Sequence, residues 1–167
     1  MTKEKILTIG TRAPDFSLKS SQEKTIESNY YLGKNNLILF FMRSFTWRYC
    51  NAHIAQLGQN YKKIKSMHST VLVLGEGGLN EANRVANLTN APFPILADPK
   101  RLMYEKFSLH KIFSQWQRSA SVVIDKSGII RYINKAADPR KSMEIDKLLS
   151  FLQKIDSHED KQIWKFQ

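Results

Sequence analysis

Cysteine is almost missing from this 167-residue chain: Cys50 stands alone. An intramolecular disulfide, an internal redox pair and a multi-cysteine metal site are therefore excluded, and a lone nucleophile or an intermolecular disulfide is what one thiol leaves open. Acidic residues are few beside basic ones, 15 against 26, for a formal charge of +11. Anionic partners are conceivable on that balance, but the lysines are scattered and no Lys/Arg run, zinc-finger or RNA-binding signature occurs. The excess reads as a solvated basic surface rather than a nucleic-acid site. Long apolar runs are absent too. Nowhere do eighteen apolar residues follow one another, and the opening MTKEKILTIG has charges but no segment of signal-peptide length. The expectation is a soluble protein of a reducing cytoplasm, without membrane contact. Internal repeats and low-complexity tracts are lacking. At 167 residues with 42% of them apolar the chain is expected to form one domain large enough for a real core, over residues 1–156, with a polar tail at 157–167.

What is present is organised around LILFFMRSFTWRYCNAHIAQL, residues 37–57. The unbroken apolar run 37–42 is too short for a membrane span and suits a strand buried on both faces of a sheet. After the polar break Arg43-Ser44, Thr46 is a candidate helix cap. Cys50, Ile54, Leu57, Tyr61 and Ile64 then fall on one helical stripe, which predicts a helix over 47–65 with Cys50 inward in its first turns. There the N–H groups of the helix start favour an anion, and the reactive form of cysteine is the thiolate. Arg43 and Arg48 flank it, and His53, one turn on, is placed either to donate to it or to face solvent. The bland alternative is a small core residue.

The rest of the order fits an α/β chain. Phe16 and Leu18 alternate after Pro14, residues 20–24 read as a hairpin tip, and Thr25-Ile26 completes a short hairpin. A turn or short helix is expected at 29–36. TVLVL, 70–74, predicts a strand ending in Gly75-Glu76-Gly77-Gly78 before a helix over 80–88. That turn matches neither the dinucleotide fingerprint nor the P-loop, and a tight connection accounts for it better than phosphate binding. A strand at 92–96, a helix opened by Asp98-Pro99 and running to about 107, a hairpin of strands 121–124 and 129–133, and a last helix from Asp138-Pro139 follow. Parallel neighbours joined by right-handed crossovers put helices on both faces of a central mixed sheet.

In this order and spacing, GTRAPDFSL, the central stretch, APFPILADPKRLMYEKFSL and SASVVIDKSGIIRYI resemble thioredoxin-fold proteins of the peroxiredoxin class, the alkyl hydroperoxide reductase and thiol-specific antioxidant family. The likeness spans roughly Ile9 to Ile155. It implies a thioredoxin-like fold with an N-terminal β-hairpin, a hydroperoxide substrate, an external thiol reductant, frequent pairing as homodimers, and no metal or cofactor. The site departs from the family pattern. The peroxiredoxin loop carries proline, threonine four residues later and the peroxidatic cysteine three after that; those places hold Arg43, Trp47 and Cys50. A related subgroup reads Phe-x-Arg-Gly-x-Trp-Cys-Pro-x-Cys. Phe41, Arg43 and Cys50 match it, while Ser44, Thr46, Trp47 and Arg48 replace Gly, Trp, the first Cys and Pro.

By position Cys50 resembles the peroxidatic residue of ordinary peroxiredoxins, implying a single-cysteine peroxidase with Arg43, Arg118 and Thr46 around the sulfur. Arg118 is the nearest match to the family's arginine, one residue out of register, and Ser119 stands near the cis-proline place of thioredoxins. In the dithiol subgroup Cys50 would be only the buried partner of a missing nucleophile, and Trp47 would shield it. The rival reading is therefore a degenerate thioredoxin-fold protein that binds a partner through its basic surface, Trp47 and the aromatic tail Trp164-Lys165-Phe166.

Overall fold

A computed structural model describes residues 7–109, 119–136 and 138–157 of the chain. Its centre is a five-stranded sheet ordered β5-β4-β3-β6-β7, with β3 (Asn36–Phe41) in the middle. Strands β4 (Ser69–Gly75) and β5 (Ile95–Ala97) run parallel to β3, and β6 (Ser119–Ile124) and β7 (Ile130–Ala136) continue the sheet antiparallel on its other side. A separate antiparallel hairpin, β1 (Ser17–Lys19) with β2 (Thr25–Glu27), precedes it and touches the edge strand through a bridge from Ser20 to Leu96.

The apolar run works as a strand buried on both sides because successive side chains point to opposite faces. Ile38 and Phe40 enter one core, formed with α1 (Arg48–Gln59), α2 (Tyr61–Ser66), α3 (Leu79–Thr89) and α5 (Ile145–Asp156). Leu37, Leu39 and Phe41 enter a second core on the other face, with Met103, Tyr104 and Phe107 of and beside α4 (Leu102–Lys106). Cys50 belongs to the first core and Tyr104 to the second.

Four local expectations change. The helix foreseen over 47–65 is two helices parted at Asn60, whose side-chain amide and backbone N–H both donate to the Gln56 carbonyl; an asparagine that satisfies the backbone locally competes with helix continuation. Asp98-Pro99 forms a turn rather than a first helical turn. Arg101 there has φ +56, and the buried Asp98 carboxylate accepts the N–H groups of Leu102 at 3.0 Å and Met103 at 2.9 Å, so α4 starts at Leu102. Residues Pro139–Lys141 make a 3-10 turn, and the last helix begins only at Ile145. The short fifth strand likewise lies at 95–97 rather than 92–96.

The glycine-rich turn has a steric cause. A Cβ at Gly75 would lie 2.2 Å from Cε1 of Phe45, and one at Gly77, where φ is +149, would lie 2.8 Å from its Cδ2. The turn is a seat for the Phe45 ring. At the start of α3 the Glu81 carboxylate accepts the Gly78 N–H at 3.1 Å, so the chain supplies its own anion there.

Candidate active site

Cys50 is the third residue of α1, and no part of it is exposed. It comes to the end of β3 because the strand stops at Phe41 and residues 42–47 turn the chain back. Met42 N–H still joins the Leu74 carbonyl at 2.8 Å, extending the parallel ladder by one step. Trp47, in extended conformation, is the residue before the first helical turn, and its carbonyl accepts Cys50 N–H at 3.0 Å.

A main-chain donor and a hydroxyl converge on the sulfur. Arg43 N–H lies 3.4 Å from Sγ, and the Ser119 hydroxyl lies 3.9 Å from it. Ser119 is buried at the start of β6, and the antiparallel register pairing Phe41 with Ala120 carries it to this end of the sheet. The Ser44 N–H also favours the anion. Burial nevertheless dominates. Desolvation pushes the Cys50 thiol above its usual range, outweighing in turn the Arg43 N–H, the Ser119 hydroxyl, the Ser44 N–H and the Arg43 charge. The helix start and the flanking arginines favour an anion in sequence; the folded surroundings favour the protonated form.

The flanking residues separate into distinct places. The Arg43 guanidinium lies over the Trp47 ring at 5.1 Å, a cation–π arrangement that directs its charge along the loop, and what reaches the sulfur most strongly is its backbone. Trp47 is partly buried against the core holding Cys50. Thr46 does not cap α1: it is exposed, and its hydroxyl pairs at 2.9 Å with that of Ser44, which also accepts Thr46 N–H. This local turn occupies the hydroxyl and moves the helix start to Arg48. Arg48 is exposed, 5.9 Å from the Tyr49 ring. His53 is buried rather than on the helix surface. Its ring meets Phe40 edge-on, centroids 5.8 Å apart, and Nδ1 meets Gln56 Oε1 at 3.4 Å. Arg118 and the tail residues Trp164, Lys165 and Phe166 lie outside the described residues.

The donor from position 43 escaped the sequence reading because it is a main-chain group; the available signal was the missing proline. Tyr104 also went unnoticed, although a buried tyrosine requires a partner for its hydroxyl. A cleft lined by Arg12, Asp15, Tyr31 and Asp125 opens beside Leu37, at the opposite end of β3, and contains none of these residues. Among the described residues no group of three or more His, Cys, Asp or Glu is arranged to hold a metal, and no helix is long and apolar enough to cross a membrane.

Known proteins resemble this chain in sequence and in fold. Alkyl hydroperoxide reductase E of Mycobacterium tuberculosis is 27% identical over 130 residues, which cover 76% of this chain and 84% of the relative. The crystal structure of peroxidoxin BcpB from the same organism superposes with a TM-score of 0.80 at 15% identity, over 89% of this chain and 98% of that one. The yeast mitochondrial 1-Cys peroxiredoxin superposes with a TM-score of 0.81 at 15% identity, over 93% and 79% of the two chains. At such identities the superpositions show the fold, which is that of peroxiredoxins. The AhpC/TSA family model matches residues 9–133, from before the hairpin into β7 and across the Cys50 loop, and the chain belongs to the AhpC/TSA family.

Proposed function

We propose that the protein is a thiol peroxidase of the single-cysteine type, with Cys50 as its nucleophile. The observation that carries this is the convergence of the Arg43 N–H and the Ser119 hydroxyl on Sγ in the first turn of α1. A thiolate can only accept, so both groups donate to it, and both are worth more to a thiolate than to a thiol. The thiolate attacks the terminal oxygen of a hydroperoxide; the O–O bond breaks, the alkoxide leaves and takes up a proton, and the sulfur becomes a sulfenic acid. With one cysteine in the chain, an external thiol condenses with the sulfenic acid, releasing water and leaving a mixed disulfide. A second thiol cleaves that disulfide and restores Cys50. Arg43 assists through its main chain, and Ser119 supplies a hydroxyl to the sulfur in a chain whose position 47, threonine in the family pattern, is Trp47.

A second reading is favoured by the full burial of the sulfur and the upward push on its ionisation: a catalytically degenerate member that binds a partner. Hydroperoxide consumption with dithiothreitol as reductant separates the two. Turnover lost in Cys50→Ser, with a sulfenic-acid probe adding mass at Cys50 after dilute peroxide, supports the peroxidase. Equal, negligible consumption by both proteins and no added mass overturns it.

A further inference from the structure

Tyr104 and Cys50 lie on opposite faces of the sheet with one peptide group between them. The Tyr104 hydroxyl donates to the Met42 carbonyl at 2.5 Å, and the N–H at the other end of that same peptide group, belonging to Arg43, donates to Cys50 Sγ at 3.4 Å. In a trans peptide the C=O and N–H point in opposite directions within one rigid plane. The hydroxyl has a single proton and a second carbonyl within reach, that of Leu74 at 3.1 Å. Leu74, however, already accepts the Met42 N–H at 2.8 Å. The shorter contact, to the carbonyl that this ladder step leaves unserved, takes the proton. Tyr104 remains a donor throughout: burial pushes its ionisation well above that of an ordinary phenol, the Cys50, Asp98 and Glu76 anions push the same way, and the Glu76 main chain opposes them less strongly.

We propose that Tyr104 is a positioning residue for the Cys50 thiolate, acting through the Met42–Arg43 peptide group. Its hydroxyl holds the peptide plane so that the N–H meets the sulfur, and by polarising the carbonyl it strengthens that N–H as a donor, as linked hydrogen bonds do. The relay depends on this chain's departure from the peroxiredoxin loop. Proline has no N–H, so a chain with proline at position 43 lacks the link between the two faces. The inference rests on the reading of Cys50 as the reactive group, but its observable, the ionisation of the thiol, needs no turnover.

Because the chain has one cysteine, the pH dependence of its alkylation by iodoacetamide reports that ionisation directly. Tyr104→Phe is expected to lower the thiolate fraction at pH 7 by about two- to fivefold, the size of a modest hydrogen bond. The same substitution is then made in Arg43→Ala, which keeps the N–H, and in Arg43→Pro, which does not. Its effect is expected to persist in the first background and vanish in the second. An equal effect in both, as a loss of packing alone would give, overturns the proposal, and so does no effect in the otherwise unaltered chain. Should Tyr104→Phe fail to fold, 3-fluorotyrosine at position 104 keeps the shape with a stronger donor. It is expected to raise the thiolate fraction, and an unchanged or lower fraction overturns the relay. A chain that shows these shifts but consumes no peroxide refutes the peroxidase reading alone.

Discussion

At the scale of single residues, the chemistry of Cys50 is set by two opposed effects of one placement. The first turn of a helix at the end of a buried strand brings main-chain donors to the sulfur, and the same burial removes the water that would stabilise its charge. Ser119 is then the side chain whose removal is most informative. Ser119→Ala deletes one hydroxyl from a buried position and is expected to lower the thiolate fraction at pH 7 by about three- to tenfold, with the rate of peroxide consumption falling in proportion. Iodoacetamide titration checks the first and peroxide assays the second; a thiol that ionises as before would mean that the long Sγ to Oγ contact contributes nothing. The position of Cys50 was readable from the spacing of apolar residues beside it. The balance of its electrostatics was not, because nearness in sequence reveals cations and conceals burial. Arg48 flanks Cys50 in sequence yet faces solvent, while Ser119, sixty-nine residues away, touches the sulfur.

At the scale of elements, the loop between β3 and α1 is held in shape by a ring it buries. Phe45 fills the space that Gly75 and Gly77 leave open, so the turn after β4 and the loop bearing the candidate site are one packed unit. Gly75→Ala forces the ring to move and is expected to destabilise the fold by about 1–3 kcal/mol, measured by urea unfolding at constant slope, with a faster rate of Cys50 alkylation as the loop loosens. Stability within a few tenths of a kcal/mol of the parent would show that the loop yields freely. Strands and helices were legible wherever apolar periodicity was long, as in β3, β4 and α3. Boundaries escaped where a side chain serves its own backbone: Asn60 divides α1 from α2, Asp98 delays α4, and Ser44 with Thr46 displaces the start of α1. Each of those residues is polar, short and ambiguous between cap and interruption until its partners are fixed in space.

At the scale of the whole molecule, the sheet is a partition between two cores, and the end of its central strand is where both have access to one peptide group. Family membership and fold followed from the order of the sequence blocks, because the topology fixes which strand neighbours which. The degenerate loop carried less information, since Arg43 and Trp47 stand where the family pattern has proline and threonine, and only the backbone path shows what replaces their contacts. On the proposed function, Cys50 consumes peroxide as a thiolate whose ionisation lies above the ordinary thiol range. For an acid so displaced, the reactive fraction is small at neutrality and grows as pH rises toward the elevated value. The most direct measurement is therefore the rate of hydroperoxide consumption between about pH 6 and 9, for the parent chain and for Cys50→Ser. The rate in the parent is expected to climb by about tenfold per pH unit without levelling below about pH 8.5, with none in the variant. A rate that is flat with pH, or one that survives the loss of the sulfur, would contradict it.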